Sequence, residues 1–176
     1  MLKLIGACLI VVGAAGAGGC ICMERACRIR QLEALARTFS LIAGEISYSR
    51  ISLPEIFMET GEKLKGPADF GIGPVLVRIG GRLFDGSGQD IREVWQEEMR
   101  MLLSETKLRV PEKDLVLSFP DAVWFLDGLR QQTAVTEFAR TLQEAARQAG
   151  KRRREEDRIT MAFCLACGFL AAILLL

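Results

Sequence analysis

The residues of this chain best suited to chemistry are its six cysteines, and their positions argue for packing instead. Cys8, Cys20 and Cys22 lie in the uncharged run Leu4–Met23, Cys27 lies just beyond it, and Cys164 and Cys167 lie in a second uncharged run, Ile159–Leu176. Cys20 and Cys22 sit near the inner end of the first run, and Cys164 and Cys167 at comparable depth in the second, so a thiolate metal site between two helices is sterically conceivable. Against it, a cysteine in a membrane helix acts mainly as a small apolar residue, and a thiol on the cytoplasmic side stays reduced. The chain has no histidine, which removes the usual general base at neutral pH and the commonest zinc ligand. Glu97 with Glu98, and Glu155 with Glu156, are sequence neighbours that point in different directions on a helix and read as solvated surface. No G-x-x-x-x-G-K-[ST] motif cradles a phosphate, and Asp85–Asp90 lacks the closing glutamate of a calcium loop. The expectation is a protein that is not an enzyme and holds no cofactor or metal.

The elements that would position these residues begin with the two apolar ends. Leu4–Met23 spans 20 residues between Lys3 and Glu24, the length needed to cross roughly 30 Å of hydrocarbon. Ile159–Leu176 is 18 residues long and reads as a tail anchor. The division expected is therefore an N-terminal transmembrane helix over 1–23, a cytoplasmic helical domain over 24–158 and a C-terminal transmembrane helix over 159–176. Basic residues crowd the inner flanks: Arg25, Arg28, Arg30 and Arg37 on one side and Arg147, Lys151, Arg152, Arg153, Arg154 and Arg158 on the other, against Lys3 outside. Basic flanks stay cytoplasmic, so the intervening domain is expected there with both termini across the membrane. The same flanks make a cleaved signal peptide a poor reading of the first run, because arginines follow it where a translocated chain disfavours them. Gly6, Gly13, Gly16 and Gly19 give the first span a flank of small side chains suited to close packing against another helix. Lys151, Arg152, Arg153 and Arg154 are placed for contact with anionic headgroups.

Between the spans, apolar positions recur with helical spacing. Ile29, Leu32, Leu35, Phe39, Ile42 and Ile46 form one stripe, with Arg30, Glu33, Arg37 and Ser40 on the other side. Ser52-Leu53-Pro54-Glu55 reads as a capping box with proline in the first turn, and Gly66-Pro67 closes the helix it starts. A third helix is expected over Val75–Phe84, a fourth on Ile91, Val94, Trp95, Met99 and Leu102, and a fifth from Pro111 that Pro120 interrupts. The last carries Val135, Phe138, Leu142, Ala145 and Ala149 toward the second apolar run. The fold class expected is all-α: an antiparallel six-helix bundle flanked by a transmembrane helix at each end. Residues 24–158 carry all 22 Asp and Glu and all Lys and Arg except Lys3, so their net charge is zero. With no positive field to steer it, nucleic acid is not an expected partner; the lipid bilayer is.

The opening Met1-Leu2-Lys3-Leu4-Ile5-Gly6-Ala7, then Arg30-Gln31-Leu32, Glu45-Ile46-Ser47-Tyr48, Leu53-Pro54 and Gly66-Pro67, taken in order and spacing, resemble the stage III sporulation protein AB family. The resemblance runs end to end, is strongest over residues 1–67, and is weakest over 108–135, where Ser118-Phe119-Pro120-Asp121 and Asp127-Gly128 depart from the family's pattern. It implies a bundle like the cytoplasmic domain of type II secretion platform protein F, working in a channel between mother cell and forespore. It also implies a cytoplasmic secretion-type ATPase, stage III sporulation protein AA, as partner. Glu45, Tyr48, Arg50 and Glu55 are the residues singled out for that interface. Tyr48 packing beneath the turn while Glu45 satisfies a backbone donor or an arginine is the plainer account of the first two. A reading from another class, a regulatory membrane protein whose bundle binds a small molecule or a signalling protein, would call for an apolar pocket holding buried polar groups.

Overall fold

The computed structural model describes residues 2–48, 51–64, 66–85, 90–123 and 128–175, and every regular element among them is helical. Helix α1 runs Leu2–Tyr48, α2 Leu53–Lys63, α3 Ile72–Phe84, α4 Ile91–Ser104, α5 Val110–Leu117, α6 Phe119–Val123 and α7 Gly128–Leu175, with a 3-10 turn at Pro67–Asp69 between α2 and α3. The chain forms two compact units: Met1–Ile29 with Arg147–Leu176, and Arg30–Ala146. One segment among the described residues, Cys8–Ser47 of α1, is long and apolar enough to cross a membrane.

In the unit Arg30–Ala146, the stripe read from spacing is the core. Leu32, Leu35, Phe39 and Ile42 of α1 are fully buried, and Ile46 packs at its edge. They meet Ile56 and Phe57 of α2, Ile72, Leu76 and Ile79 of α3, Val94, Trp95 and Met99 of α4, and Val135 and Leu142 of α7. Five rings occupy the centre: Phe39 stands 4.7 Å from both Phe119 and Phe138, and Trp95 stands 4.9 Å from Phe119 and 5.7 Å from Phe57. These tilted and edge-on contacts are the arrangements that the ring quadrupoles favour. The indole N–H of Trp95 donates to the carbonyl of Val116 at 3.0 Å, which ties α4 to the end of α5 and satisfies a donor buried in an apolar centre.

Local signals explain the boundaries. Ser52 takes the extended N-cap conformation of α2, and the Glu55 carboxylate accepts from its backbone N–H at 2.8 Å, the reach-back bond of a capping box, and also from its hydroxyl at 2.8 Å. Helix α3 starts three residues earlier than Val75, at Ile72, because the chain reverses through Phe70 and Gly71, both at positive φ, and Pro74 fits a first turn. The fifth helix is two short ones. Glu112 caps the N–H of Arg109 at the start of α5, and Pro120 opens α6 in a first turn where its missing donor leaves no hydrogen bond broken.

Candidate functional site

Of the residues singled out for a partner interface, Glu45 and Glu55 each have a partner inside the bundle. The Glu45 carboxylate accepts from the ammonium of Lys63 at 2.6 Å, joining α1 to the end of α2, and this hydrogen bond raises the Lys63 pKa. Glu55 is the cap of α2, and hydrogen bonds from the backbone and hydroxyl of Ser52 hold its carboxyl below the usual range. Tyr48 ends α1, but its side chain, like the whole of Arg50, lies outside the described residues. Lys63 was invisible to sequence reasoning because it is 18 residues from Glu45, and only the fold brings the two helices together.

Beside Lys63 lies an open groove of about 750 Å³, lined by Gly61, Glu62, Leu64, Gly66, Pro67, Gly71, Pro74, Val77 and Arg78. Its walls are the end of α2 and the start of α3. The glycine-rich stretch from Gly66 to Gly73 was its only trace in the sequence. Arg78 of the groove wall also reaches Glu98 on α4, which is buried and not solvated as its sequence position implied: Arg78 donates to it at 2.9 Å and Arg82 at 3.1 Å. Burial pushes the Glu98 pKa up, but the two guanidinium hydrogen bonds outweigh it and hold the carboxyl below its usual value. Arg82 also reaches Glu97 at 2.9 Å. Among the described residues, the buried hydroxyl of Thr60 on α2 has no hydrogen-bond partner.

In the unit Met1–Ile29 with Arg147–Leu176, α1 and α7 run side by side. A Cβ placed on Gly18 would meet Met161 Sδ at 3.0 Å and Cys164 Sγ at 3.3 Å, and one on Gly168 would meet the Ala14 Cβ at 2.8 Å. These two glycines form the close approach, whereas Gly6, Gly13, Gly16 and Gly19 have nothing within 4 Å of the corresponding position among the described residues. Helical geometry decides this, because Gly18 shares a face with Ala14 and Arg25 and the other four point elsewhere. At the inner end of the apolar pair, Arg25 donates to Asp157 at 3.3 Å and to Thr160 at 2.9 Å and approaches Glu156 at 3.6 Å. Arg153 reaches the other Asp157 oxygen at 3.1 Å. Burial raises the Asp157 pKa, but hydrogen bonds from Arg25, Cys22 and Arg153 prevail and hold it low. Arg153 is thus turned inward, Lys151 and Arg152 are exposed, and the Arg154 side chain lies outside the described residues. All six cysteines are free thiols, and no group of three or more metal-ligating side chains gathers among the described residues.

Comparison with known proteins agrees with this architecture. A search of curated proteins finds no match. A solved structure titled stage III sporulation protein AB (SpoIIIAB) superposes with a TM-score of 0.60 at 17% identity, covering 73% of this chain and 98% of that one, which shows a shared fold. The family model described as stage III sporulation protein AB matches residues 3–176, taking in both apolar ends and the bundle. Matched over nearly its whole length, the chain belongs to the stage III sporulation protein AB family.

Proposed function

We propose that this protein is a non-enzymatic membrane platform of a sporulation-specific, secretion-like channel between mother cell and forespore, and that its bundle receives a cytoplasmic ATPase. The observation that carries the reading is that one family model runs unbroken from the first apolar end through the bundle to the second, so the anchors and the domain are one functional design. Both apolar ends support a two-pass topology, since Leu9, Val12, Phe163 and Leu170 leave large apolar side chains exposed, a surface that lipid would cover. The bundle between them faces the cytoplasm and does no chemistry. Its five-ring centre is a solid core, which suits a rigid platform better than a ligand-binding chamber.

The partner is the secretion-type ATPase, stage III sporulation protein AA. Its docking surface includes the Glu45–Lys63 pair, with Tyr48, Arg50 and Glu55 nearby in sequence. Exposed charges of this kind tune encounter and specificity more than affinity. Co-purification of the ATPase with the full chain from detergent is the test. Recovery with the native chain, reduced for Glu45→Ala or Tyr48→Phe at an unchanged melting temperature, is the expected result. No recovery with the native chain would sink the docking reading, and lowered melting with binding retained would make Glu45 and Tyr48 parts of the scaffold alone.

A further inference from the structure

We infer that the outward side of α7 at the inner end of its apolar run, formed by Lys151, Arg152 and Arg158, is a selective surface for anionic phospholipid headgroups, and that Arg25 and Arg153 take no part in it. The inference rests on the two-pass reading and names the lipid class that the anchor selects.

The assignment follows from the two faces of one helix. Arg153, Asp157, Thr160, Cys164 and Gly168 recur at intervals of three and four, and their contacts run to one another or to α1. This face is engaged in contacts, although Arg153 keeps 43% of its side chain accessible. Its two guanidiniums, from Arg25 and Arg153, are already committed to Asp157. Lys151, Arg152 and Arg158 are exposed, and the apolar residues that follow on the open side are exposed too: Ile159 is 69% accessible, Phe163 68% and Leu170 65%. A lipid-facing apolar surface therefore continues directly into a cationic one, and a bilayer with negative headgroups is complementary to both parts at once.

Distance selects which basic residues count. At about 1.5 Å of rise per residue, Arg158 sits at the edge of the hydrocarbon and Lys151 and Arg152 stand ~10–12 Å above it. That is just outside the headgroup layer, which is roughly 5–7 Å deep, and within about one Debye length of its charge. Arg147, roughly 18 Å above Ile159, is beyond that reach. The exposed Glu155 opposes one of the three charges, which leaves an expected preference for anionic over zwitterionic lipid on the order of fivefold.

The full chain, reconstituted in phosphatidylcholine vesicles, is probed with spin-labelled phosphatidylglycerol and spin-labelled phosphatidylcholine, and the motionally restricted fraction of each is read by electron paramagnetic resonance. The expected result is about a fivefold preference for phosphatidylglycerol at low salt, shrinking as salt is raised. The triple variant Lys151→Gln, Arg152→Gln, Arg158→Gln should cut the ratio by more than half, while the double variant Arg153→Gln, Asp157→Asn, which removes the pair without changing the net charge, should leave it unchanged. Equal association of both lipids with the native chain, or a loss in the Arg153→Gln, Asp157→Asn variant as large as in the triple variant, would overturn the inference. The salt dependence of the native chain decides the matter even where a variant fails to fold. Protease accessibility of a C-terminal tag separates the two possible failures: a tag on the same side as the bundle removes the two-pass reading and this surface with it, whereas a tag on the far side with no lipid preference removes only the surface.

Discussion

Glu98 shows how a side chain that reads as solvated becomes part of the structure. Its neighbour Glu97 stays exposed while Glu98 is covered by α3, where Arg78 and Arg82 bring charge-assisted hydrogen bonds to both its oxygens. Because its pKa is lowered in the folded state, the stability it contributes is complete above the ordinary glutamate value and is lost as pH falls through the folded one. Glu98→Gln is therefore expected to lower stability by about 1–3 kcal/mol at pH 7, since the buried acceptor loses its charge. The gap between native and variant melting temperatures should begin to shrink near pH ~5 and close well below ~4. Thermal unfolding followed by circular dichroism across that range is the measurement. A gap that stayed constant down to pH ~3 would mean that the carboxylate is not held by its arginines.

At the scale of the element, the α2–α3 hairpin depends on three glycines whose need is steric. A Cβ on Gly61 would sit 2.5 Å from the Gly73 carbonyl oxygen, and one on Gly80 would sit 2.5 Å from the Pro54 carbonyl oxygen. A Cβ on Gly73 would be driven into the carbonyl of Leu64 and lie 2.7 Å from that of Gly61. Backbone atoms cannot move aside as a flexible side chain would, so Gly73→Ala and Gly80→Ala should each cost about 1–3 kcal/mol or more and widen the neighbouring groove. Gly81, one residue on, has nothing within 4 Å among the described residues, so Gly81→Ala should leave stability unchanged or raise it by up to ~1 kcal/mol through helix propensity. Denaturant midpoints of the three variants make the comparison. Equal behaviour at positions 80 and 81 would contradict the close packing described.

At the scale of the whole molecule, the distribution of basic residues sets the expected arrangement across the membrane. Reporter fusions after Arg50 and Gly150 should register in the cytoplasm and a fusion at Leu176 on the far side, because the inner flanks carry ten Lys and Arg against Lys3 outside. An exported signal from the fusion after Gly150 would refute the two-pass arrangement. The ion cluster of Arg25, Asp157 and Arg153 stands where both apolar runs meet the charged part of the chain, so on the proposed two-pass arrangement these groups would pair without entering the hydrocarbon.

Composition and periodicity alone were enough for the helical class, the two apolar ends, the stripe on α1 and the capping box at Ser52, because each is a local property: a run length, a 3.6-residue repeat, or a contact between positions three apart. Family membership was legible for a related reason, as the resemblance rested on ordered short motifs within residues 1–67, which lie almost wholly in the stretch that the family model matches. The partners of Glu45 and Glu98 were not legible, since Lys63 and the arginines of α3 are brought to them only when helices dock. Nor was it legible that Gly18 is the glycine of α1 against α7, because the packing face of a helix that is apolar on every side is chosen by its neighbour's shape. The split of the fifth helix at Ser118 also awaited the fold: the burial of Phe119 and the Trp95 bond to Val116 determine how Pro120 is accommodated. Local signals thus settled which segments are helices, and tertiary packing alone decided which side chains meet.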